Sequence, residues 1–578
     1  MTSQIGRLSP RQGLTAAALL LAIAGCSCAD RAGLVESAAR DSGHGGELVA
    51  AIRDDPPSFN PYVGQGTSAL EVLTHLMHAP LVRIDRVTGE VQPWLAEQWS
   101  QSADGLTWTL KLRPGVKFAD GSPLTSADVL FAFEAVSSPG IASAIGDSLL
   151  IDGARIRATA PDQATVVLQF PAPLGAGLQL LDNLPILPHH KLESAMKAGR
   201  LRDAWGLTTS PSEVVGLGPF RLVSYVPAER IVLERNPFYW RQDADGKPLP
   251  RLDRLTLAIV RDQDTELLRL QHGQIDIGSR EIRPEDYAAV RRAVAAGTLQ
   301  LADAGIGLDP NMLWFNLSPI AHAGDHRKPW LQSADLRRAI SLAVDRTTVV
   351  DQVYLGAGVP VFGVVSPGNR QWYAPPSSDG FDPARARLLL SGLGLVDRNG
   401  DGVLEDRSGA AARFSVISLQ SDSIRMKTVA VMQSQLRRLG ILVDSVGLDA
   451  GAIVQRWASG EYDAIYFGVE ATSYDPDNNL DFWLSSGSFH VWNPGQSSPA
   501  TDWERRVDTL MRDARSADPL ARQALFRETQ AVYAAHVPVI CFAAPRLSIA
   551  MSPRVIHATP VPLNPPVLWN ADSLAVRR

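Results

Sequence analysis

The sequence predicts a mixed α/β fold, and two stretches carry that prediction. Residues 106–112 alternate apolar and polar side chains, as a half-buried strand does, and residues 414–443 show a strand pattern, a helix pattern and a second strand pattern in succession. In sheets of this kind, ligands bind in the crevice beyond the carboxyl ends of the strands, often between two domains. We therefore expect an interdomain cleft to be the functional site.

The first stretch reads Leu-Thr-Trp-Thr-Leu-Lys-Leu and is followed by Arg113-Pro114-Gly115. Proline fixes φ and glycine permits a positive φ, so this tripeptide predicts a turn and not a ligand contact. Gly216 and Gly218, in Gly-Leu-Gly-Pro-Phe, also predict a tight turn. A phosphate-binding loop would need a helix and a lysine after them, whereas the sequence continues as a strand.

In the second stretch, a strand at 414–419 leads into a helix whose apolar face includes Val429 and Met432. Gly440 ends that helix, as a C-terminal glycine commonly does, and residues 441–443 resume as a strand. This order predicts a parallel pair of strands joined by a right-handed crossover.

Three more helices are predicted from their first residues. Asp382-Pro383 and Asp518-Pro519 each combine a capping aspartate with a proline at the first helical position. Ser333 caps a third helix, which we expect to run to Gly356.

Composition limits the possible functions. The 578 residues are 45% hydrophobic and 20% charged, as in an ordinary globular protein, and they are too many for one hydrophobic core. A net charge of -6 argues against nucleic acid as a partner. Three cysteines, at 26, 28 and 541, do not indicate a disulfide framework.

The start of the chain has the layout of an export signal. Arg7 and Arg11 precede an apolar run of about a dozen residues, too short to span a bilayer as a helix. The run ends in Leu-Ala-Ile-Ala-Gly-Cys, which resembles the lipobox of bacterial lipoproteins and implies that Cys26 receives lipid. Residues 1–25 would then be a signal peptide and 26–46 a flexible tether; an ordinary cleaved signal is the alternative.

Longer motifs are more specific. The longest reads Asp-Gly-Leu-Thr-Trp-Thr-Leu-Lys-Leu-Arg-Pro-Gly-Val-Lys-Phe-Ala-Asp-Gly at 104–121, and others stand at 94–99, 123–129, 216–220, 235–237, 273–276, 336–346 and 475–478. In this order they resemble family 5 of the extracellular solute-binding proteins, which serve peptide-type and nickel-type ABC importers.

The resemblance implies a two-lobed, periplasmic-binding-protein-like fold of type II, in the large cluster C with an extra inserted domain. A hinge of two crossover strands would join the lobes. The implied domains are domain I (47–72, 205–310 and 537–578), the inserted domain II (73–204) and domain III (311–536).

The resemblance also implies the function. The chain would be a monomeric, lipid-anchored receptor on the periplasmic side of a bacterial membrane, handing peptides or peptide-like solutes to an ABC permease whose ATPases are separate chains. A solute sensor without transport is an alternative, and a secreted hydrolase is another. No hydrolase or phosphate-binding motif occurs, so we expect no catalytic residue and no cofactor.

By the same resemblance, the segment around 58–68 and the strand and loop from 466 to 472 line the cleft. Trp492, in a loop rich in glycine and serine, is the aromatic residue favoured for a cleft position. The predicted ligand-binding residues are Asn60, Tyr62, Thr67, Phe467, Gly468, Val469, Glu470, Ala471, Thr472 and Trp492.

One of these positions departs from the family pattern. Many peptide-binding members place an aspartate three residues before the Asp475-Pro476 pair, where it binds the free amino group of the peptide, and here that residue is Thr472. A hydroxyl group cannot neutralise a buried ammonium ion. We therefore expect a ligand that is not anchored by a free amino terminus, unless Glu470 takes over that role.

Two motifs raise the question of a metal. Residues 397–402, Asp-Arg-Asn-Gly-Asp-Gly, match the first half of a calcium loop, but its twelfth position is Ser408 where a glutamate is needed, so a turn is predicted. His189 and His190 are adjacent, and on an extended chain they would point to opposite faces. We expect no metal site.

Overall fold

The computed structural model of the chain describes residues 43–63, 68–138, 140–141, 143–151, 153–375, 380–468, 473–515 and 518–577. The apolar run and Cys26 lie outside these residues. Among the helices described, none is both long and apolar enough to cross a membrane. Helices and sheets alternate along the chain, so the predicted α/β class is confirmed.

The described strands are β1 (Glu47–Ile52), β2 (Val82–Ile84), β3 (Val91–Pro93), β4 (Ala96–Gln101), β5 (Thr107–Leu112), β6 (Leu150–Ile151), β7 (Ala154–Arg155), β8 (Arg157–Asp162), β9 (Thr165–Gln169), β10 (Phe220–Val226), β11 (Arg230–Arg235), β12 (Arg254–Ile259), β13 (Gln300–Ile306), β14 (Met312–Phe315), β15 (Gly358–Pro360), β16 (Arg413–Leu419), β17 (Leu442–Leu448), β18 (Ala464–Phe467), β19 (Val539–Cys541), β20 (Ala543–Met551), β21 (Val555–Ile556) and β22 (Ala575–Val576).

The described α-helices are α1 (Ser68–Met77), α2 (Ser126–Val136), α3 (Ala144–Ser148), α4 (His189–Lys197), α5 (Gln263–Gln271), α6 (Tyr287–Ala295), α7 (Lys328–Leu331), α8 (Ala334–Ala343), α9 (Arg346–Gln352), α10 (Pro383–Gly392), α11 (Ser423–Arg437), α12 (Ala450–Ser459), α13 (Leu480–Trp483), α14 (Asp502–Ala514) and α15 (Pro519–His536).

Two four-stranded sheets that share one hydrophobic core build the first lobe. One has the order β1-β12-β11-β10, with β1 and β12 parallel and the other pairs antiparallel. The other is antiparallel, in the order β4-β5-β9-β8, and contains the strand predicted at 106–112 as β5. The turn after β5 places Gly115 at φ +74°, as predicted.

Gly216 and Gly218 are needed for close packing of backbones. A Cβ at Gly216 would lie 1.9 Å from the carbonyl oxygen of Met77, and one at Gly218 would lie 2.5 Å from the carbonyl carbon of Met77. The Gly218 amide also donates to the Met77 carbonyl at 2.9 Å. The end of α1 therefore packs directly on this segment, which leaves no room for a side chain.

The second lobe is built on a five-stranded sheet in the order β17-β16-β18-β14-β19. β16 and β17 are parallel neighbours joined by α11, so the predicted strand–helix–strand unit is confirmed. Val429, Met432 and Leu436 of α11 are fully buried against the sheet. Gly440, at φ +86°, reverses the chain into β17.

Capping residues fix the helix starts. Asp382 and Asp518 accept hydrogen bonds from the first-turn amides of α10 and α15, as predicted. The single helix predicted from Ser333 to Gly356 is wrong, because α8 ends before Val344, which is extended. The side chain of Asp345 then caps a new helix, α9.

β13 and β20 join the two lobes. They pair antiparallel from Gln300 opposite Met551 to Ile306 opposite Arg546. After β13 the chain enters the second lobe at β14, and after β19 it returns through β20. The chain therefore crosses between the lobes twice, along two strands that are hydrogen-bonded to each other.

Candidate functional site: the cleft between the lobes

A cavity of about 530 Å³ lies between the two lobes, next to the crossover strands. The first lobe contributes residues such as Arg53 and Arg280, and the second contributes residues such as Tyr354, Arg425 and Phe467. The cavity lies beyond the carboxyl ends of β1, β16 and β18, since Arg53, Asp422 and Gly468 each follow one of these strands. This is the position expected for a ligand in such a fold.

The structure places the predicted site residues in three groups. Phe467 and Gly468 line the cavity. Thr67 and the residues Val469, Glu470, Ala471 and Thr472 lie outside the described residues. Asn60, Tyr62 and Trp492 are buried side chains with partners in the protein.

Asn60 and Tyr62 hold the first lobe together. The side-chain nitrogen of Asn60, Nδ2, donates to the carbonyl of Leu201 at 2.9 Å. The side-chain oxygen of Asn60, Oδ1, accepts a hydrogen bond from the backbone amide of Tyr62 at 3.1 Å. The Tyr62 hydroxyl donates to the carbonyl of Pro185 at 2.5 Å. Both side chains are 0% exposed, so their polar groups serve internal contacts in this structure.

Trp492 belongs to an aromatic core of the second lobe and is 1% exposed. Its ring lies 5.7 Å from that of Tyr533, 5.8 Å from that of Trp503 and 4.1 Å from that of His490. The polar composition of the surrounding loop suggested a cleft position, but the aromatic residues of α13, α14 and α15 enclose the ring.

Glu504 is the acceptor at the centre of this core. Its carboxylate accepts hydrogen bonds from Trp492 Nε1 at 3.2 Å and from the Thr501 hydroxyl at 2.9 Å, and it lies 2.9 Å from His490 Nε2. Burial alone would raise the pKa of Glu504, but the contacts with His490 and Trp492 outweigh it and lower the pKa to about 2. The folded state therefore favours the ionised carboxylate.

We expect this carboxylate to contribute to stability above about pH 4.5, its ordinary pKa, and the contribution to be lost as the pH falls towards 2. A shift of this size corresponds to about 3 kcal/mol. In urea unfolding at pH 7 and pH 3, Glu504→Gln should lose much less stability between the two pH values than the unmodified protein. Glu528→Gln, at an exposed position on α15, is the control and should follow the unmodified protein; equal losses in all three proteins would contradict the assignment.

The second-lobe wall of the cavity centres on Arg425, in the first turn of α11. Its Nε lies 2.7 Å from Asn311 Oδ1 and 3.2 Å from Asp422 Oδ2, and its guanidinium carbon lies 4.0 Å from the centre of the Phe467 ring. A Cβ at Gly468 would lie 3.3 Å from Arg425 Nη2, so glycine keeps the space that the guanidinium group uses. The neighbouring Tyr354 is buried, which raises the pKa of its hydroxyl to about 12.

The first-lobe wall carries Arg53, whose Nη2 donates to the side-chain oxygen of Gln263 at 3.0 Å. Burial and the nearby charge of Arg280 lower the pKa of Arg53, while the carboxylates of Glu266 and Glu281 act in the opposite direction. Glu266 is 3% exposed, and its burial raises its own pKa. This wall therefore holds closely spaced charges of both signs.

The lobes also touch at a second place, which does not share lining residues with this cavity. We call it the seam and define it by Tyr474, Gln371 and Arg522 of the second lobe. The Tyr474 hydroxyl donates to the carbonyl of Arg86 at 2.8 Å. A Cβ at Gly89 would lie 3.0 Å from Gln371 Oε1, and a Cβ at Gly175 would lie 2.4 Å from Arg522 Nε. The two lobes are therefore in direct contact along the seam.

The Asp475-Pro476-Asp477 motif is tied to this seam. Arg522, on α15, donates to both carboxylate oxygens of Asp475, at 2.8 and 3.1 Å, and to Asp477 at 2.7 Å. All three side chains are less than 10% exposed. Burial and the charge of Asp475 raise the pKa of Asp477, and Arg522 acts against that rise. The motif thus anchors the loop that follows β18.

The two motifs weighed as metal sites have local roles in the described structure. The histidine pair starts α4, which corrects the expectation of an extended chain, and each ring faces its own carboxylate: His189 faces Glu193 at 3.2 Å and His190 faces Asp120 at 2.8 Å. The loop from Asp397 forms the predicted turn, in which that aspartate accepts the amides of residues 400 and 402.

In the same turn, carboxylate oxygens of Asp397, Asp401 and Glu405 lie within 4.8 Å of one another. The calcium pattern drew attention to its twelfth position, Ser408, and so missed Glu405, the ninth. Glu405 also accepts the amide of Arg398 at 2.7 Å, so it is one of the acceptors that order the turn.

The arginines of the cavity were not among the residues predicted from the sequence. Arg53 stands directly after β1, and Arg425 stands three residues after Asp422, the cap of α11. One signal in the sequence could have indicated them. Both positions lie at the carboxyl ends of strands, where ligands bind in such sheets, so a polar residue directly after a strand or in the first turn of the next helix is a candidate.

Comparison with known proteins agrees with this architecture. The chain is 26% identical over 537 residues to a probable ABC transporter-binding protein of Deinococcus radiodurans, covering 88% of this chain and 89% of the relative. It is 26% identical over 542 residues to di/tripeptide-binding protein 1 of Pseudomonas aeruginosa, covering 88% and 93%.

Among solved structures, the ABC transporter substrate binding protein CtaP of Listeria monocytogenes matches with a TM-score of 0.75 and 23% identity, over 93% of this chain and 100% of that chain. The likeness confirms the predicted two-lobed fold. A family model also matches residues 90–490, more than half of the chain. The protein therefore belongs to the bacterial extracellular solute-binding proteins, family 5.

Proposed function

We propose that this protein is the substrate-binding component of an ABC importer and that it takes peptides or peptide-like solutes in the cavity between its lobes. The cavity, lined by residues of both lobes beside two crossover strands, is the observation that carries the proposal. Its volume of about 530 Å³ is in the range of pockets that bind small molecules. The di/tripeptide-binding relative supports a short peptide as the solute.

The proposed mechanism is closure of the lobes on the solute. A solute favours the closed form only by binding it more tightly than the open form, and contacts from both lobes supply that difference. The closed form is then the one that the permease recognises. We propose that the protein acts as a monomer and catalyses no reaction.

We propose that the solute is not held by a free amino terminus, because Thr472 offers no negative charge at the position where many peptide-binding members carry an aspartate. Native mass spectrometry of the purified protein tests the proposal as a whole, since a retained solute is identified by its mass. Calorimetry with free and N-acetylated peptides tests the amino end: a strong preference for free amino termini would show that Glu470 or another group takes the role of the aspartate.

We propose further that lipid on Cys26 holds the protein on the periplasmic side of a bacterial membrane. A tethered receptor meets its permease at a raised effective concentration, and residues 26–46 would give it reach. Labelling with an alkynyl fatty acid should mark the unmodified protein and not Cys26→Ala. Equal labelling of both would contradict the assignment.

We expect the hydrogen bond of Tyr474 across the seam to raise solute affinity, although Tyr474 does not line the cavity. Tyr474→Phe removes the hydrogen bond to the Arg86 carbonyl, which exists only while the lobes are closed, so we expect about 1 kcal/mol less stabilisation of the closed form and an affinity up to about fivefold lower. Calorimetry with the solute identified by mass spectrometry measures the change.

Tyr373→Phe is the matched control for that experiment. It removes the hydroxyl group of a partly buried tyrosine of the same lobe, for which the described structure shows no hydrogen bond, and it should leave the affinity unchanged. Equal affinities for the Tyr474 variant and the unmodified protein would show that the seam does not contribute to closure.

A further inference from the structure

We propose that the second lobe carries a binding site for an organic phosphate, separate from the cavity between the lobes. The site is a second cavity, of about 540 Å³, which we call the outer cavity. Its described lining comes only from the second lobe and has no residue in common with the described lining of the cavity between the lobes. The inference goes beyond the proposed function and does not depend on it.

The outer cavity lies at one edge of the sheet of the second lobe. α8 and α15 form much of its wall, and β19, the last strand in the order of that sheet, contributes Val539 and Ile540. The first residue of α9 and the first turn of α10 also reach it, through Arg346 and Arg385. Its volume is in the range of pockets that bind small molecules.

The charges of the outer cavity favour an anion. The described lining contains no aspartate or glutamate, although the whole chain has a net charge of -6. Several guanidinium groups around one cavity suit a phosphate group, which offers two negative charges and three acceptor oxygens, better than a carboxylate with one charge and two oxygens. The charged side chains of the described lining are Arg338, Arg346, Arg385 and Arg527.

Arg346 is a buried cation, 3% exposed, that the protein holds in place. Its Nε donates to the carbonyls of Val361 and Cys541 at 2.7 and 3.1 Å. Its Nη1 and Nη2 donate to the carbonyl and the hydroxyl group of Ser341, at 2.8 and 2.9 Å. Each of these two nitrogens carries two hydrogens, so one N–H of each has no partner within the described residues.

All of these hydrogen-bond partners of Arg346 are uncharged. Burial lowers the pKa of Arg346 to about 10, so the group is still charged at neutral pH. A buried charge that lacks a counter-charge is costly. An anion bound in the outer cavity would supply the counter-charge and offset part of that cost.

The carboxyl end of α15 also borders the outer cavity, and the carbonyl groups at such an end normally repel anions. Here arginines of α8 cover them. Arg337 donates to the carbonyls of Val537 and His536, at 2.6 and 3.0 Å, and Arg338 donates to the carbonyl of Ala535 at 2.6 Å. The end of the helix is therefore paired with two positive charges and does not oppose an anion.

The size and the remaining lining of the cavity indicate an organic phosphate. A water molecule occupies about 30 Å³, and a phosphate ion is only a few times larger, so the ion alone would leave most of the cavity unfilled. An apolar or aromatic group attached to the phosphate would contact the apolar wall. That wall includes Leu342, Phe362, Val364, Ala531, Val539 and Ile540.

Calorimetry of the full-length protein with phenyl phosphate, inorganic phosphate and phenol, at one ionic strength, tests the inference. We expect phenyl phosphate to bind at least about tenfold more tightly than either of the other two, because it alone contacts both the arginines and the apolar wall. Equally weak binding of all three compounds would overturn the inference. This comparison uses the unmodified protein and needs no variant.

Variants then locate the bound phosphate. Arg338→Gln and Arg527→Gln should each weaken the binding of phenyl phosphate about tenfold. Arg438→Gln, at the exposed end of α11, is the matched control and should keep the affinity of the unmodified protein. Thermal unfolding checks that each variant is folded. The inference is overturned if neither of the first two variants loses affinity, or if only Arg280→Gln, in the cavity between the lobes, does so.

A phosphate ester reaches such a site from two sources, a soluble compound or the headgroup of a phospholipid. Flotation with vesicles of phosphatidylglycerol and of phosphatidylcholine distinguishes them. Binding to phosphatidylglycerol vesicles alone, displaced by phenyl phosphate and lost in Arg338→Gln, would assign the site to a headgroup. Tight binding of phenyl phosphate without such displacement would assign it to a soluble ester. If phenyl phosphate shows no preference in calorimetry and displaces no vesicle, the site does not exist.

Discussion

Replacing Arg522 with methionine is expected to lower the free energy of unfolding by about 3–5 kcal/mol. The substitution keeps much of the side-chain volume but leaves Asp475 and Asp477, each 1% exposed as side chains, without their shared cation. Two uncompensated carboxylates in a buried site repel each other and have lost their hydration. Urea unfolding at pH 7.5 measures the loss.

The same experiment at pH 5 separates charge from packing. Burial and the charge of Asp475 already raise the pKa of Asp477, and loss of the arginine should raise it further. Protonation then removes part of the repulsion, so the deficit of the variant should shrink at the lower pH. Arg527→Met, at an exposed position of the same helix, is the control and should stay within about 0.5 kcal/mol of the unmodified protein. A deficit that is the same at both pH values would show that packing, and not charge, causes it.

Replacing Trp492 with alanine is expected to cost about 3–5 kcal/mol of stability. The indole group lies among the rings of Phe482, Trp503 and Tyr533, and its Nε1 donates to Glu504, so the variant loses apolar contacts and leaves a buried carboxylate with one donor fewer. Urea unfolding measures the loss, and Phe489→Ala, in the same loop with 48% of its surface exposed, should cost far less.

The stability and the solute affinity of this variant together distinguish a core residue from a cleft residue. A cleft residue would change solute affinity while stability stayed nearly constant, because a side chain that waits for ligand has few partners of its own. If Trp492→Ala keeps the stability of the unmodified protein and loses solute binding, the assignment to the core is wrong.

Much of the framework could be predicted because it depends on local patterns. The alternation at 106–112 and the helix face around Met432 report burial on one side, and both elements formed where expected. The end of this helix at Gly440 could be predicted because few other residues adopt a positive φ. The prediction of one helix from Ser333 to Gly356 was wrong at Asp345, which caps a second helix. In a sequence, an aspartate that caps a new helix cannot be told from an exposed aspartate inside a longer helix.

The site was less predictable because its members are far apart in sequence. Arg53, Asn311, Arg425 and Gly468 meet only after two sheets from different lobes have been placed side by side. Phe467 and Gly468 line the cavity, and the strand pattern that ends at Phe467 is the local signal that placed them there. Trp492 was misplaced because the polarity of a loop does not show which way one aromatic side chain packs.

The seam has a consequence for how closure can be altered by mutation. Tyr474 donates to a main-chain oxygen of the first lobe, and Gln371 and Arg522 lie against glycines of that lobe. Within the described residues, the first lobe meets these three side chains with its backbone, so a side chain added there, as at Gly89 or Gly175, would obstruct the contacts. A smaller side chain weakens the same contacts when it replaces Tyr474, Gln371 or Arg522 of the second lobe.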